Sequence, residues 1–458
     1  MAAADSGWHG GGRTIAEPRR ETPVIGEFDV VVVGGGPSGI AAATAAARAG
    51  RSTLLLESYG FLGGMGTAAG VTNFCGLHAN VHGAIRQVVH GVADDLLARM
   101  RSLGGLSEPH LLFGDRIAAQ AYDNAALKVA ADELVLASGA RLLFHAQAVG
   151  VVMNAPEEIG AVLVETKSGR GAVVGRVFID CSGDGDVSFH AGAPFEKGTT
   201  AEGMMYPSTM FRVNGVDPVR AGDAWNHFGR LMEEAERGGR RFPRKAPIIR
   251  PQKNPVEWRV NVTQLSNADG TPVDGTDAQQ LSRGEVEGRR QIVDFFRFLR
   301  ESAPGFENAY ILEIAPQVGI RETRRIVGEY QLTGDDVLQC ASFSDTIGVN
   351  GWPIEEHVAG NVNFKWQATG ARGFNHLPYR MLLPLQVDNL LVAGRCGSMT
   401  HMGQSAARVS GGCLVMGQAA GTAAALAIAA EVRPRRLDTT ALQARLEADG
   451  AYLGHIAQ

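Results

Sequence analysis

Phe28-Asp29-Val30-Val31-Val32-Val33-Gly34-Gly35-Gly36-Pro37-Ser38-Gly39-Ile40 is the stretch on which the reading of this chain turns. Residues 28–33 are an apolar, β-branched run, the pattern of a strand buried on both faces of a parallel sheet. Residues 40–49 are Ala-rich and helical in pattern, and Gly50 suits the position just past a helix end. Residues 52–56 carry a second strand signal, with Glu57 at its end. This is a complete βαβ unit. In the spacing Gly34-x-Gly36-x-x-Gly39, the first glycine permits a tight turn and the second lets backbone approach a pyrophosphate. The third lets the helix pack close to the strand. Pro37 and Ser38 open the helix, whose free N–H groups and positive dipole end favour phosphate. Glu57, with Ser58 beside it, is placed to accept hydrogen bonds from an adenosine ribose, and its charge disfavours a 2′-phosphate. A dinucleotide site is expected here, and the fingerprint alone fits FAD and NAD equally.

Downstream, residues 60–76 are glycine-dense, with Gly64 and Met65 as candidate cofactor contacts. Residues 115–138 contain a helical pattern on Ala125, Leu127, Val129, Leu134 and Leu136. Residues 141–152 (with Ala148 and Val149 as candidate cofactor contacts), 160–166 and 173–179 are strand-like, and the last runs into Asp180-Cys181-Ser182-Gly183-Asp184. Between 196 and 375 the character changes to charge-rich helix (283–298) and loops with Pro and Asn, without a second nucleotide fingerprint. From Pro378 the buried-strand pattern returns at 381–384 and 389–394, followed by a helix over 414–429. The expected fold is α/β: a Rossmann-like domain over 27–195 and 376–431, split by an inserted α+β substrate domain over 196–375. A flexible segment (1–26) and a tail (432–458) flank it.

The chain has 458 residues, 45% hydrophobic and 20% charged, with a net charge of −5. That balance is globular and argues against a broad basic surface for nucleic acid. Five scattered cysteines without a C-x-x-C pair fit a reducing compartment and argue against a disulfide framework or zinc ribbon. Cys75, His78 and His82 could be imagined around a metal, but no zincin motif accompanies them, and no metal is expected. No Gly-x-Ser-x-Gly setting supports a hydrolase. The most apolar helix candidate, 418–430, is too short to cross a bilayer, and no secretory signal pattern opens the chain. A cytoplasmic enzyme is expected, as a monomer or a homo-oligomer.

The C-terminal segments Pro378-Tyr379-Arg380-Met381-Leu382-Leu383-Pro384, Asp388 to Arg395 and Met416 to Ala423 resemble the closing part of FAD-dependent oxidoreductases of the glutathione-reductase-like superfold. Residues 177–184 are similar to that superfold's second dinucleotide-contact strand. With Phe61 to Thr67 and Gly319 to Gly328, the resemblance extends over residues 28–430, to bacterial FAD-dependent oxidoreductases related to succinate dehydrogenase and fumarate reductase flavoproteins. It implies FAD as cofactor, held additionally by Ser182, Gly183, Gly394, Arg395, Gly411 and Gly412. Arg395 stands where the family commonly has an acid facing the flavin.

The resemblance also lays residues 400–408 over the flavin ring, making His401 and Arg408 candidates for holding substrate, against a reading as packing residues. Cys75 is either an inert buried thiol or a redox or tethering group, and His78 is a candidate acid or base. Arg321, in the run Arg321-Glu322-Thr323-Arg324-Arg325, and Tyr379 are further candidates; a salt-bridged cluster is the other reading of that run. The expected reaction is hydride transfer between a small anionic or carbonyl-bearing molecule and flavin N5. Alternatives are a flavin monooxygenase and a FAD-holding subunit without catalysis of its own. With one fingerprint only, electrons are expected to come from the organic substrate and leave to oxygen, a quinone or a carrier protein.

Overall fold

The computed structural model describes residues 14–200 and 203–455. Residues 1–13, half of the segment expected to be flexible, lie outside these. At the other half the expectation needs correcting. Residues 24–26 are the start of the first strand, Val24–Val33, because they pair with Ala172 and Val173.

That strand is the centre of the larger sheet. Thr53–Leu56 and then Arg141–Leu143 pair on one side and Gly169–Asp180 on the other, all parallel. The long Gly169–Asp180 strand serves two partners. Its C-terminal end takes Leu390–Val392 in parallel, and its N-terminal half pairs antiparallel with Glu158–Thr166, which continues to Gln147–Ala155. Val30, Val31 and Val32 are fully buried, as expected of a strand covered on both faces.

Two helices cover one face, Pro37–Arg48 and Ser410–Ala429. They meet backbone to backbone: a Cβ on Gly417 would lie 2.1 Å from the Ser38 carbonyl oxygen, and one on Gly421 2.1 Å from that of Ala42. Ser410–Ala429 is longer than the sequence suggested. The Gly411-Gly412 pair, read as loop, is its first turn. By length and composition the helix could cross a membrane, yet 83% of its most apolar window is buried inside the fold.

A second, antiparallel sheet has the order Ile248–Pro251, Trp258–Asn261, Phe211–Asn214, Tyr310–Ile314. The helix Ala278–Ser302 packs on it around Phe211, Trp258, Phe298 and Phe306. Ile347, Val349 and Ile354 instead join the core beneath the Pro37–Arg48 helix. Two hairpins project toward the space between the sheets. One is Leu106–Leu112 with Ile117–Tyr122, and the other is Ile354–Val358 with Asn361–Lys365.

Two local expectations change. Residues 115–138 are a strand followed by a helix, Asn124–Ala137, whose start is set by Asp123 accepting from the N–H groups of Ala125 and Ala126. Residues 379–382 are a turn of 3₁₀ helix rather than a buried strand.

Candidate functional site

A cavity of about 640 Å³ opens at the C-terminal ends of the parallel strands and runs to the second sheet. Its first part is lined by Gly34, Gly35, Gly36, Pro37, Ser38, Glu57, Ser58, Gly64, Met65, Ala148, Ser182, Gly183 and Arg395. The three fingerprint glycines are there for different reasons. A Cβ on Gly34 would come within 2.3 Å of the Cys181 carbonyl oxygen, and one on Gly39 within 1.8 Å of that of Gly34. Those two are demanded by the protein's own packing. Gly36 has only the Gly64 Cα, at 3.8 Å, near its missing Cβ, and its φ of −71° suits any residue. What its glycine keeps clear is the cavity, which fits close approach by a pyrophosphate at a helix N-terminus.

Glu57 is buried and already busy. One carboxylate oxygen accepts from the Gly35 N–H at 2.6 Å, and the other from Ser58 Oγ at 2.9 Å and the Tyr59 N–H at 2.8 Å. It locks the fingerprint turn, and it retains acceptor capacity for a ribose. Asp180 clamps the next loop through Ser182 and Ser188. Burial, together with Asp184 and Asp180, raises Asp186 to about 6, with Arg324 opposing. Arg395 is held by Thr323 and Asp184, both at 2.9 Å.

Several expected cofactor contacts are not in the wall. Val149 is the extra residue of a bulge opposite Leu163 and Val164 and is not among the lining residues. Gly394 is glycine because a Cβ would strike Ser38 Oγ at 2.2 Å; Gly411 and Gly412 likewise face the carbonyls of Gly76 and Ala407 at 2.2 and 2.3 Å. These are packing glycines.

The other part of the cavity is charged. Arg250, Arg259, Arg321, Arg408, Glu355 and His357 line it, with Phe74, Cys75, Tyr122 and Trp352. Arg321 is anchored by the Tyr206 carbonyl and Ser208 Oγ, both at 2.7 Å. Arg408 caps the short helix His401–Ala407, and its buried Nε and Nη2 have no hydrogen-bond partner. Glu355 and His357 are two apart on a strand and therefore share a face. Glu355 accepts from Trp352 Nε1 at 2.8 Å and lies 3.0 Å from His357 Nε2. Burial alone would raise Glu355; the hydrogen bond from His357, with the charge of Arg408, outweighs it and holds the carboxyl at about 2. Burial, then Arg321, drives His357 well below the usual imidazole range, so it is neutral.

Three catalytic candidates from the sequence lie elsewhere. His401 turns away from the cavity to Glu322, 2.8 Å from its Nδ1. Glu322 and Arg325 pair with each other in the same buried network, while Arg321 and Arg324 face the cavity. His78 is buried in the strand His78–Val81 and outside the lining. Tyr379 is buried, with its hydroxyl donating to the Pro434 carbonyl at 2.9 Å. Cys75 and Arg408 do reach the cavity. The sequence reading missed Arg259, Glu355 and His357; Glu355-x-His357 just before an Ala-Gly turn was the available signal.

The model of the family described as FAD dependent oxidoreductase matches residues 29–446. This chain belongs to that family. It is therefore an FAD-dependent oxidoreductase. No curated protein matches the chain significantly. Among solved structures, it is similar to a geranylgeranyl bacteriochlorophyll reductase-like protein from Thermoplasma acidophilum. Identity is 12% and the TM-score 0.48, covering 92% of this chain and 82% of that one. For p-nitrophenol 4-monooxygenase PnpA from Pseudomonas putida the values are 13%, 0.48, 93% and 84%. For the anhydrotetracycline hydroxylase OxyS from Streptomyces rimosus they are 14%, 0.44, 92% and 65%.

Proposed function

We propose that this oxidoreductase moves a hydride between a small organic anion and flavin N5. The observation that carries the reading is the charge of the cavity's second part: four guanidiniums, Arg250, Arg259, Arg321 and Arg408, against one carboxylate, Glu355. Buried charge left without counter-charge costs several kcal/mol, so an anionic substrate supplies what the protein leaves out. The strand order of the larger sheet supports a glutathione-reductase-type arrangement, with residues 196–375 as the substrate cap.

FAD, when bound, supplies the two-electron acceptor, and Gly36, Ser38, Glu57, Ser182 and Arg395 are the residues that would hold it. The chain's own work is binding and proton transfer. Arg259 and Arg408 hold the substrate anion, and Arg321 fixes the local field. A carboxylate only accepts, so His357 donates its Nε2–H to Glu355 and keeps Nδ1 as the base. As the substrate C–H bond leaves with its electron pair, the proton of the adjacent O–H or N–H goes to His357 Nδ1. Glu355 stabilises the imidazolium that forms.

Anaerobic mixing of the yellow protein with a panel of small hydroxy and amino acids tests this. Flavin bleaching by one of them is expected, and His357→Ala slows it by roughly 10²–10⁴-fold, the usual worth of a general base, without releasing FAD. Fast bleaching by NADH or NADPH with none by any organic acid overturns the reading in favour of a monooxygenase. Bleaching by no donor favours the non-catalytic subunit.

A further inference from the structure

We propose that substrate enters the charged part of the cavity between the two hairpins, and that Phe113 is the gate residue that sets which molecules pass. This rests on the reading that the flavin's reacting edge lies at that part of the cavity. Of all the lining residues only three are exposed. Ser58 and Gln147 mark the opening beside the fingerprint, where the cofactor enters. Phe113, 43% exposed, marks a second opening on the other side.

Phe113 sits at the tip between Leu106–Leu112 and Ile117–Tyr122. Its ring closes on the facing hairpin: 4.5 Å from Phe364 and 5.6 Å from Trp366, centre to centre. Arg116, from the same tip, lies 5.3 Å over the Trp366 ring. The two hairpins thus meet through rings and one cation–π contact, which can part without stranding buried hydrogen-bond groups. The tip is also strained. Phe113 has φ +55° and is followed by Gly114 at +66° and Asp115 at +65°. A bulky residue in the left-handed region is strained, so the backbone holds Phe113 in place only through the turn around it.

The gate also touches the chemistry. Phe364 is the cross-strand partner of Glu355, so the ring that Phe113 covers stands beside the carboxylate that orients His357. Trp366 packs with Trp352, whose indole donates to Glu355. Closure shields the pair from water, and opening exposes it.

Iodide quenching of bound FAD fluorescence tests the gate without any substrate. Wild type, Phe113→Ala, Phe113→Trp and Leu111→Ala are compared as holoproteins; Leu111 is exposed but does not line the cavity. Phe113→Ala should raise the quenching constant several-fold, Phe113→Trp should lower it, and Leu111→Ala should leave it unchanged. Identical quenching in all four overturns the proposal. Should Phe113→Ala not fold, Trp366→Phe thins the opposite leaf and carries the same expectation. With a bleaching acid in hand, Phe113→Ala should lower the concentration giving half-maximal rate more for bulky acids than for small ones. Loss of bleaching in His357→Ala speaks to the hydride reading alone, since the quenching series does not depend on it.

Discussion

Around Gly36 the cavity wall is backbone, delivered within one βαβ unit: a turn, a helix end and, at the end of the neighbouring strand, a carboxylate that ties them together. Around Glu355 the wall is side chain, delivered by four segments far apart in sequence, at 250–259, 321, 355–357 and 408. The first region is shaped by what must be absent, a Cβ. The second is shaped by what must be present, charge held in place by other charge. A shared cofactor needs the first to be generic, and a particular substrate needs the second to be particular.

The largest expected effect separates the kinds of glycine in the first region. Gly39→Ala puts a methyl 1.8 Å from the Gly34 oxygen. Backbone on both sides cannot yield, so the loss should exceed the usual 1–3 kcal/mol of overpacking and leave little folded protein. Gly36→Ala meets nothing closer than 3.8 Å. Its apo form should melt like wild type while FAD binds at least about tenfold more weakly, a change of about 1.4 kcal/mol. Melting curves of the apo proteins and FAD titrations decide it. Equal destabilisation by both would make Gly36 one more packing glycine and remove the contrast.

The same contrast explains what the sequence disclosed. The fingerprint is local: six residues, flanked by the strand and helix it needs, carry their own context. Even there Glu57 was only half legible, since its grip on the Gly35 and Tyr59 N–H groups requires the folded turn. Gly411 and Gly412 look like a cofactor loop in sequence because glycine alone does not say whether protein or ligand fills the space. The charged region had no local context. His401 looked like the functional histidine and is turned to Glu322 because Thr400 caps the helix through the Gly403 N–H, fixing His401 in the first turn. His357 faces the cavity only because Ile354–Val358 is a strand with a partner, and a five-residue strand leaves a weak signal.

The second prediction concerns acid. Glu355 is held at about 2, below its ordinary value of 4.5, so it contributes stability above pH 4.5 that is lost as pH falls toward 2. His357 is depressed too, which works in the same direction. Below about pH 6.5 the unfolded chain takes up a proton that the folded chain refuses, and stability falls. Unfolding free energy should therefore decline from pH 6.5 downward, more steeply below 4.5. In Glu355→Gln the steeper limb should shrink, by an amount of order a few kcal/mol at most. Denaturant melts at pH 7, 5, 4 and 3 measure it. An unchanged acid limb in the variant would show that Glu355 is not held by charge, and the charged region would lose its central pair.

The smallest expected effect concerns Cys75, the one sulfur the sequence left with a possible redox or tethering role that does reach the charged region. Four guanidiniums nearby would, acting alone, activate a thiol. Burial acts the other way and is the larger influence, Glu355 adds to it, and Arg259 and Arg408 oppose it only in part; the thiol is pushed up to about 12. Three units above the ordinary value of 9 leave the thiolate roughly a thousandfold scarcer at neutral pH. Iodoacetamide should then alkylate Cys75 far more slowly in the native protein at pH 8 than in the unfolded chain, as followed by mass spectrometry of the labelled peptide. Cys75→Ser should keep FAD and bleach at close to the wild-type rate. Fast native labelling would mean that the guanidiniums prevail over burial, and the charged region would then hold a nucleophile as well as a base.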